Sequence, residues 1–272
     1  MECCRSPHEQ MLEDKIAGKA NPFRETHKRV FKILDTIEGQ KPAIDVERAL
    51  YFTKSMEKTE GQPLVLRWAK AMKHVAENIT VYIDDDNLLC GRAGYPGRYG
   101  ILYPELDGDF LDMAVEELPK RSGSPFSITE EDAKIVIEQI APFWKGKTYH
   151  EALNQALPEE VHTLTYDDPE GLISRFIVNE TSSFRSSLQW VHDYEKILKR
   201  GFGGIRAEAQ ERLDALDDFS PKANTQDKPF LEAIVIICDA VILWANRHAD
   251  LAAEKAAAET DPIRKAELET MA

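Results

Sequence analysis

Cysteine is scarce: four in 272 residues, Cys3, Cys4, Cys90 and Cys238, with no C-x-x-C spacing and no Cys/His cluster beside them. That excludes a disulfide-framed fold and a thiolate metal site, and it fits a reducing cytoplasm. Cys3 and Cys4 are adjacent, a spacing at which a strain-free disulfide rarely closes, so both read as plain exposed thiols. Positive charge is short too. The 34 Lys and Arg against 48 Asp and Glu leave a net charge of −14, which argues against non-specific binding to nucleic acid or an anionic membrane. A local cationic pocket remains compatible with that total. Long apolar runs are missing: the longest, Ala233 to Ala245, is interrupted by Asp239 and falls short of bilayer thickness. The N-terminus MECCRSPHEQ lacks the apolar centre of a signal peptide.

Phosphate and metal motifs are missing as well. Gly201-Phe202-Gly203-Gly204 has neither the Lys-Ser/Thr ending of one nucleotide loop nor the G-x-G-x-x-G order of the other, and reads as a helix break. Asp84-Asp85-Asp86 lacks the Gly and Glu of a calcium loop and reads as a solvated turn. His150 and His162 have no carboxylate or histidine at metal spacing, so no metal site is expected.

What remains is an ordinary globular composition, 43% hydrophobic and 30% charged. Residues 1–24 are polar and irregular, a flexible arm; residues 25–272 read as one unit, mainly α with a few short strands. Val30, Leu34 and Ile37 recur at turn spacing until Gly39. Asp45 is a capping candidate for a second helix carrying Ala49, Leu50, Phe52 and Met56 to Gly61. A third, from Pro63 to Asn78, should bury Leu66, Ala69, Met72 and Val75. These three read as a packed scaffold. Ile79 to Ile83 predicts a short strand, followed by the acidic turn and a second extended piece through Leu88, Leu89 and Cys90.

Residues 95–127 alternate turn signals with short apolar pieces, which predicts a surface connection with a brief helix over Phe110 to Leu118. Ser127 or Thr129 should cap a helix to Ile140, ended by Pro142 to Gly146, and Thr148 should open another to Ala156. Further on, Ile205 to Leu216 reads as an amphipathic surface helix. The helix from Pro229 should bury Phe230, Ile234, Ile237, Val241 and Trp244, with Cys238 serving as packing. Asp261-Pro262 opens the last helix.

The most informative stretch is Ser182 to Gly204, SSFRSSLQWVHDYEKILKRGFGG, read as one helix from Ser182 to the glycine break. Phe184, Leu188, Val191 and Leu198 share one side, and Arg185, Gln189 and His192 another. A guanidinium fork beside an amide suits a small tetrahedral oxyanion such as a sulfonate or phosphate. An Arg and a Gln on a helix surface are more often simply solvated.

Six short motifs stand in order ahead of that stretch: Glu47-Arg48-Ala49, Gly61-Gln62-Pro63, Arg67 to Ala71, Glu77-Asn78-Ile79, Asp84 to Asp86 and Gly91-Arg92-Ala93-Gly94. With the run FIVNETSSFRSSLQWVHDYEKILKRGFGGI they resemble the N-terminal portion of the glycyl radical enzymes, the pyruvate formate-lyase family. Within it they are most similar to members that cleave isethionate (2-hydroxyethanesulfonate) to acetaldehyde and sulfite. The resemblance implies the N-terminal helical part of an α/β ten-stranded barrel. It implies that Arg185 and Gln189 bind a small anionic organosulfonate; His192 and Asp193 stand close enough to Gln189 to touch substrate, but His192-Asp193-Tyr194 is shared with relatives of other specificities, which favours structural anchoring and leaves their role open.

By the same resemblance the radical cysteine loop and the C-terminal radical glycine lie outside this chain, so no catalytic residue falls within it. Cys90 stands in the wrong place for the radical cysteine and reads as a small buried hydrophobe. No diffusible cofactor is implied, only a glycyl radical installed after translation by a radical-SAM activating enzyme. A homodimer is implied, in the cytoplasm, free or within a bacterial microcompartment. The last helix, IRKAELETMA, runs out without a cap, which predicts a piece of a longer protein that is inactive alone. Two other readings stand open: a relative acting on a diol, glycerol or choline, and a non-catalytic helical scaffold complete at residue 272.

Overall fold

The computed structural model describes residues 27–161 and 192–272, apart from 39, 95, 96, 98, 107, 124 and 218. The expected arm, the residues Arg185 and Gln189, and His162 lie outside them, as does the side chain of His150. The described chain is mainly helical with four short strands, as its sequence pattern predicts.

Helix α1, Lys28–Glu38, is followed by a strand, β1, Ala43–Asp45. Helices α2, Glu47–Lys58, and α3, Leu64–Asn78, come next, the latter opened by Pro63. The Asp45 carboxylate accepts from the Glu47 amide at 2.9 Å, so the capping role expected of Asp45 is real, although Asp45 itself ends a strand. Phe52, Ala49 and Met56 of α2 pack with Ala71, Val75 and Ile79 in one core. Thr53 donates to the Ala49 carbonyl at 2.7 Å and accepts from the Trp144 indole at 2.8 Å, so both of these buried polar groups are paired.

Two departures have a common cause. β1 is a buried parallel partner of β4, Tyr99–Ile101, and Ser127 pairs on its other side. The segment expected as a surface connection therefore runs through the core: Leu102, Leu111 and Ala114 are buried, the last two on α4, Asp109–Glu116. Three-residue strands are too short to display an alternating period, and Gly and Pro mark turns without saying that the pieces between them are covered.

Thr129 caps α5, Glu130–Ile135, accepting from the Asp132 amide at 3.0 Å. The helix does not stop at Ile140. A π turn, Val136–Ile140, leads into α6, Ala141–Trp144, and its wider ring accommodates Pro142, whose missing N–H and bulky ring would disrupt a regular turn. Gly146, at φ 76°, ends the run before α7, Tyr149–Ala156.

Strands β2, Val81–Tyr82, and β3, Arg92–Ala93, pair antiparallel around the acidic turn. That turn is not simply solvated. It is the dock for the C-terminal helices, because Arg264 donates to the Asp84 and Asn87 carbonyls at 2.9 and 2.8 Å, and Lys255 to Ile83 O at 3.1 Å. Cys90 beyond it is exposed, contrary to its reading as a buried hydrophobe, since Leu88 and Leu89 beside it also face outward and no core lies under this loop.

Helix α8, Tyr194–Asp214, is bent at Gly201. After a π turn, Ala223–Asp227, helix α9, Lys228–Ala258, crosses α3 and ends against α10, Pro262–Met271, capped by Asp261 as expected. Ala233, Ile236 and Ile237 of α9 pack on Leu66 and Ala69 of α3. By length and composition the stretch Ala223–Ala258 would suffice to cross a bilayer, but here it is laid on other helices with Asp239 ion-paired to Arg206 at 2.6 Å. Apart from Pro229 and His248, its buried residues are small: Ala233, Cys238 and Ala240 are covered, whereas Phe230 is exposed and Ile234, Ile237, Val241 and Trp244 are half-buried. Close helix crossing selects small side chains at the contact and leaves the large ones flanking it. Met72, Val30, Leu34 and Ile37, expected in the scaffold's core, are likewise exposed among the described residues.

The α1–α10 contact gives a pH expectation. Arg29 above all, then Arg264, hold the Glu267 carboxyl below its ordinary value by hydrogen bonding. The folded state thus favours the charged form, so this tie is complete above the ordinary glutamate range and is lost as pH falls through the lowered value. Acid titration followed by hydrogen exchange should release α10 early, and Glu267→Gln should remove that pH dependence.

Candidate substrate-binding site and its frame

The expected oxyanion grip, Arg185 and Gln189, lies outside the described residues; its immediate continuation does not. His192 and Asp193 precede the first turn of α8, and the Asp193 carboxylate accepts from the Lys196 amide at 3.0 Å as its N-cap. A helix cannot run unbroken through its own cap. The single helix expected from Ser182 to the glycine break is therefore corrected at its described end: His192 stands ahead of α8, outside the helix, its ring edge-on to Tyr194 at 5.8 Å. Asp193 thus has a capping role in α8. Leu198, expected on an apolar side, is fully in solvent.

The glycine cluster behaves as a break at one point. Gly201 takes φ 64°, ψ 170°, a region open in practice to glycine alone, and the helix resumes directly after it. Gly204 has a different use, since a Cβ there would stand 3.3 Å from Cβ of Arg200.

Of the six short motifs, Glu47-Arg48-Ala49 and Gly91-Arg92-Ala93-Gly94 are tied to one another beside α2 through Thr80, the residue that follows Glu77-Asn78-Ile79. The Glu47 carboxylate accepts from the Thr80 amide and hydroxyl, both at 2.7 Å, and the Gly94 amide donates to Thr80 O at 2.7 Å. A Cβ on Gly94, which sits at φ 82°, would meet Asp45 Oδ2 at 1.8 Å. Arg48 donates to Glu105 through both terminal nitrogens, at 2.5 and 3.2 Å, and to Leu102 O at 3.4 Å, with its guanidinium 4.2 Å from the Tyr103 ring centroid. Both partners are nine-tenths buried or more. These motifs hold α2, the β2–β3 pair and the segment after β4 in register, which is scaffolding chemistry. Glu105 was not legible as the partner of Arg48, because 57 residues separate them and no local pattern links them.

Among the described residues no group of His, Cys, Asp and Glu could hold a metal. Neither described cysteine suits a radical-carrying role in a cavity. Cys90 is in solvent, and Cys238 is packed within α9, where burial first and the Asp239 charge second raise its pKa, with Arg206 opposing. Iodoacetamide should therefore label Cys90 rapidly and Cys238 only on unfolding, read by peptide mass mapping.

The family profile described as pyruvate formate lyase-like matches residues 23–272. The chain is 72% identical over its whole length to the isethionate sulfite-lyase of Oleidesulfovibrio alaskensis and 69% identical over 98% of it to that of Bilophila wadsworthia. It spans 33% and 32% of those proteins, about a third of their length. Over 84% of the chain it is 28% identical to the (2S)-3-sulfopropanediol dehydratase of Klebsiella oxytoca, covering 27% of that protein. Among solved structures, the 1,2-propanediol-dehydrating protein of Roseburia inulinivorans superposes with a TM-score of 0.79 at 30% identity, over 89% of this chain and 29% of that one. The B12-independent glycerol dehydratase of Clostridium butyricum gives 0.75 at 31%, over 90% and 30%. With its helical frame, its register-holding motifs and these matches together, the chain belongs to the pyruvate formate lyase-like family, the glycyl radical enzymes.

Proposed function

We propose that this chain forms the N-terminal, substrate-gripping part of a glycyl radical carbon–sulfur lyase that cleaves isethionate to acetaldehyde and sulfite. The observation that carries this reading is the level of identity to isethionate sulfite-lyases along the entire chain, more than twice that to the diol and proline dehydratases of the same family. In this reading Arg185 holds two sulfonate oxygens with its fork and Gln189 a third, fixing the carbon that loses hydrogen. Such a grip is positioning, and it favours an anionic substrate over choline, whose cation a guanidinium repels. The family's stored glycyl radical supplies hydrogen abstraction, and we place its glycine and the partner cysteine in the portion of the relatives that this chain does not span. A radical-SAM activating enzyme, a homodimer and a cytoplasmic setting belong to the same proposal.

The test uses the full-length protein, anaerobically activated, offered isethionate, (2S)-3-sulfopropanediol, glycerol, 1,2-propanediol or choline separately. Sulfite and acetaldehyde should form from isethionate. Turnover of a diol with no sulfite release from isethionate would overturn the assignment in favour of a dehydratase.

A further inference from the structure

The two halves of α8 are held very differently. After Gly201, Arg206 is bonded to Asp239 of α9, which raises its pKa further, and Ala209 is buried. Before Gly201, the roughly two turns from Tyr194 to Arg200 form an arm whose side chains are nearly all exposed, including Tyr194 and Leu198. Glycine at φ 64° supplies the bend but no stiffness. Among the described side chains, one carboxylate ties the two halves together across the bend. Glu208, from the anchored half, accepts from Arg200 and lies 3.9 Å from Lys196 on the arm, and it accepts from Arg212 at 2.8 Å on its own half. Its side chain is 23% exposed, which makes it the least solvated member of the four. Gly204 lets Arg200 fold back close enough to reach it.

We infer that Glu208 is a positioning residue: by clamping Arg200 and Lys196 across the Gly201 bend it fixes the angle of the arm, and through the arm the placement of the substrate grip. Gln189 stands only four positions before Asp193, with three residues between them and a reach of at most about 14 Å, so little chain is available to absorb a swing of the arm. A lone exposed ion pair would be too weak for this, but a carboxylate shared by several cations is the arrangement in which such pairs add up. The link to substrate rests on the reading of Arg185 and Gln189 given above.

The test has two arms. In the full-length protein before activation, hydrogen exchange of peptides covering 194–206 should quicken about fivefold in both Glu208→Ala and Arg200→Ala, with no further change in the double variant. After activation, both single variants should raise KM for isethionate about fivefold with kcat within about twofold, again without additivity. Unchanged exchange in Glu208→Ala overturns the clamp. Quickened exchange with unchanged KM, in an enzyme where Arg185→Ala does raise KM, overturns the positioning role. If Arg185→Ala itself leaves isethionate turnover untouched while the exchange effect stands, the clamp is supported and the substrate reading is what fails.

Discussion

Glu105→Ala should destabilise the protein by about 3–5 kcal/mol, as much as emptying a fully buried aromatic position of the core. The reason is asymmetry. Arg48 is 9% exposed, and once its carboxylate partner is gone it keeps, among the described residues, a single acceptor, the Leu102 carbonyl at 3.4 Å, with aromatic rings on its faces. A guanidinium cannot shed its charge, so the cost of leaving it buried cannot be escaped by deprotonation. Removing both charges is a different experiment. Arg48→Leu/Glu105→Leu discards the desolvation cost along with the attraction and should recover most of the loss, because a buried ion pair contributes little over a well-packed apolar pair. Thermal melts of the wild type, the single variant and the double variant decide this, and a double variant as damaged as the single one would show that the pair has a role beyond mutual compensation.

Arg185→Ala should lower kcat/KM for isethionate about 100-fold in the full-length enzyme. Two charge-assisted hydrogen bonds to a sulfonate contribute about 3 kcal/mol together, and tenfold corresponds to about 1.4 kcal/mol. Arg185→Lys keeps the charge and loses the fork, so it should fall between the two. Gln189→Ala, removing a neutral donor, should cost about tenfold or less. Thermal stability should be unchanged in all three, which separates a lost grip from a damaged scaffold.

How far these features were legible beforehand depends on the span of chain each one needs. Helices α2, α3 and α10 announce themselves within a dozen residues, through apolar spacing and through Pro63 and Asp261 at their starts. The β1–β4 pairing joins Ala43 to Tyr99 and consists of three residues on each side, too few for a period and too distant for a local signal. The burial of Leu102, Leu111 and Ala114 follows from that pairing and was hidden with it. Periodicity marked the apolar face of α1 correctly but says nothing of what faces it, and among the described residues Val30 stands in solvent. Asp193 carried its own signal, a capping residue inside an apparently helical run, and the apolar spacing on either side outweighed it. The proposed grip rests on resemblance and on the shape of a guanidinium beside an amide; what the frame shows is the start of α8 after it, capped by Asp193, bent at Gly201 and tied to Glu208 through Arg200.

The central claim is that the guanidinium of Arg185 and the amide of Gln189 hold a sulfonate. A structure of the full-length, unactivated protein soaked with isethionate addresses it directly. The account predicts sulfonate oxygens within about 2.7–3.2 Å of both side chains, facing an enclosed cavity. Isethionate bound away from them, or the two side chains turned into bulk solvent with the cavity filled, would contradict it.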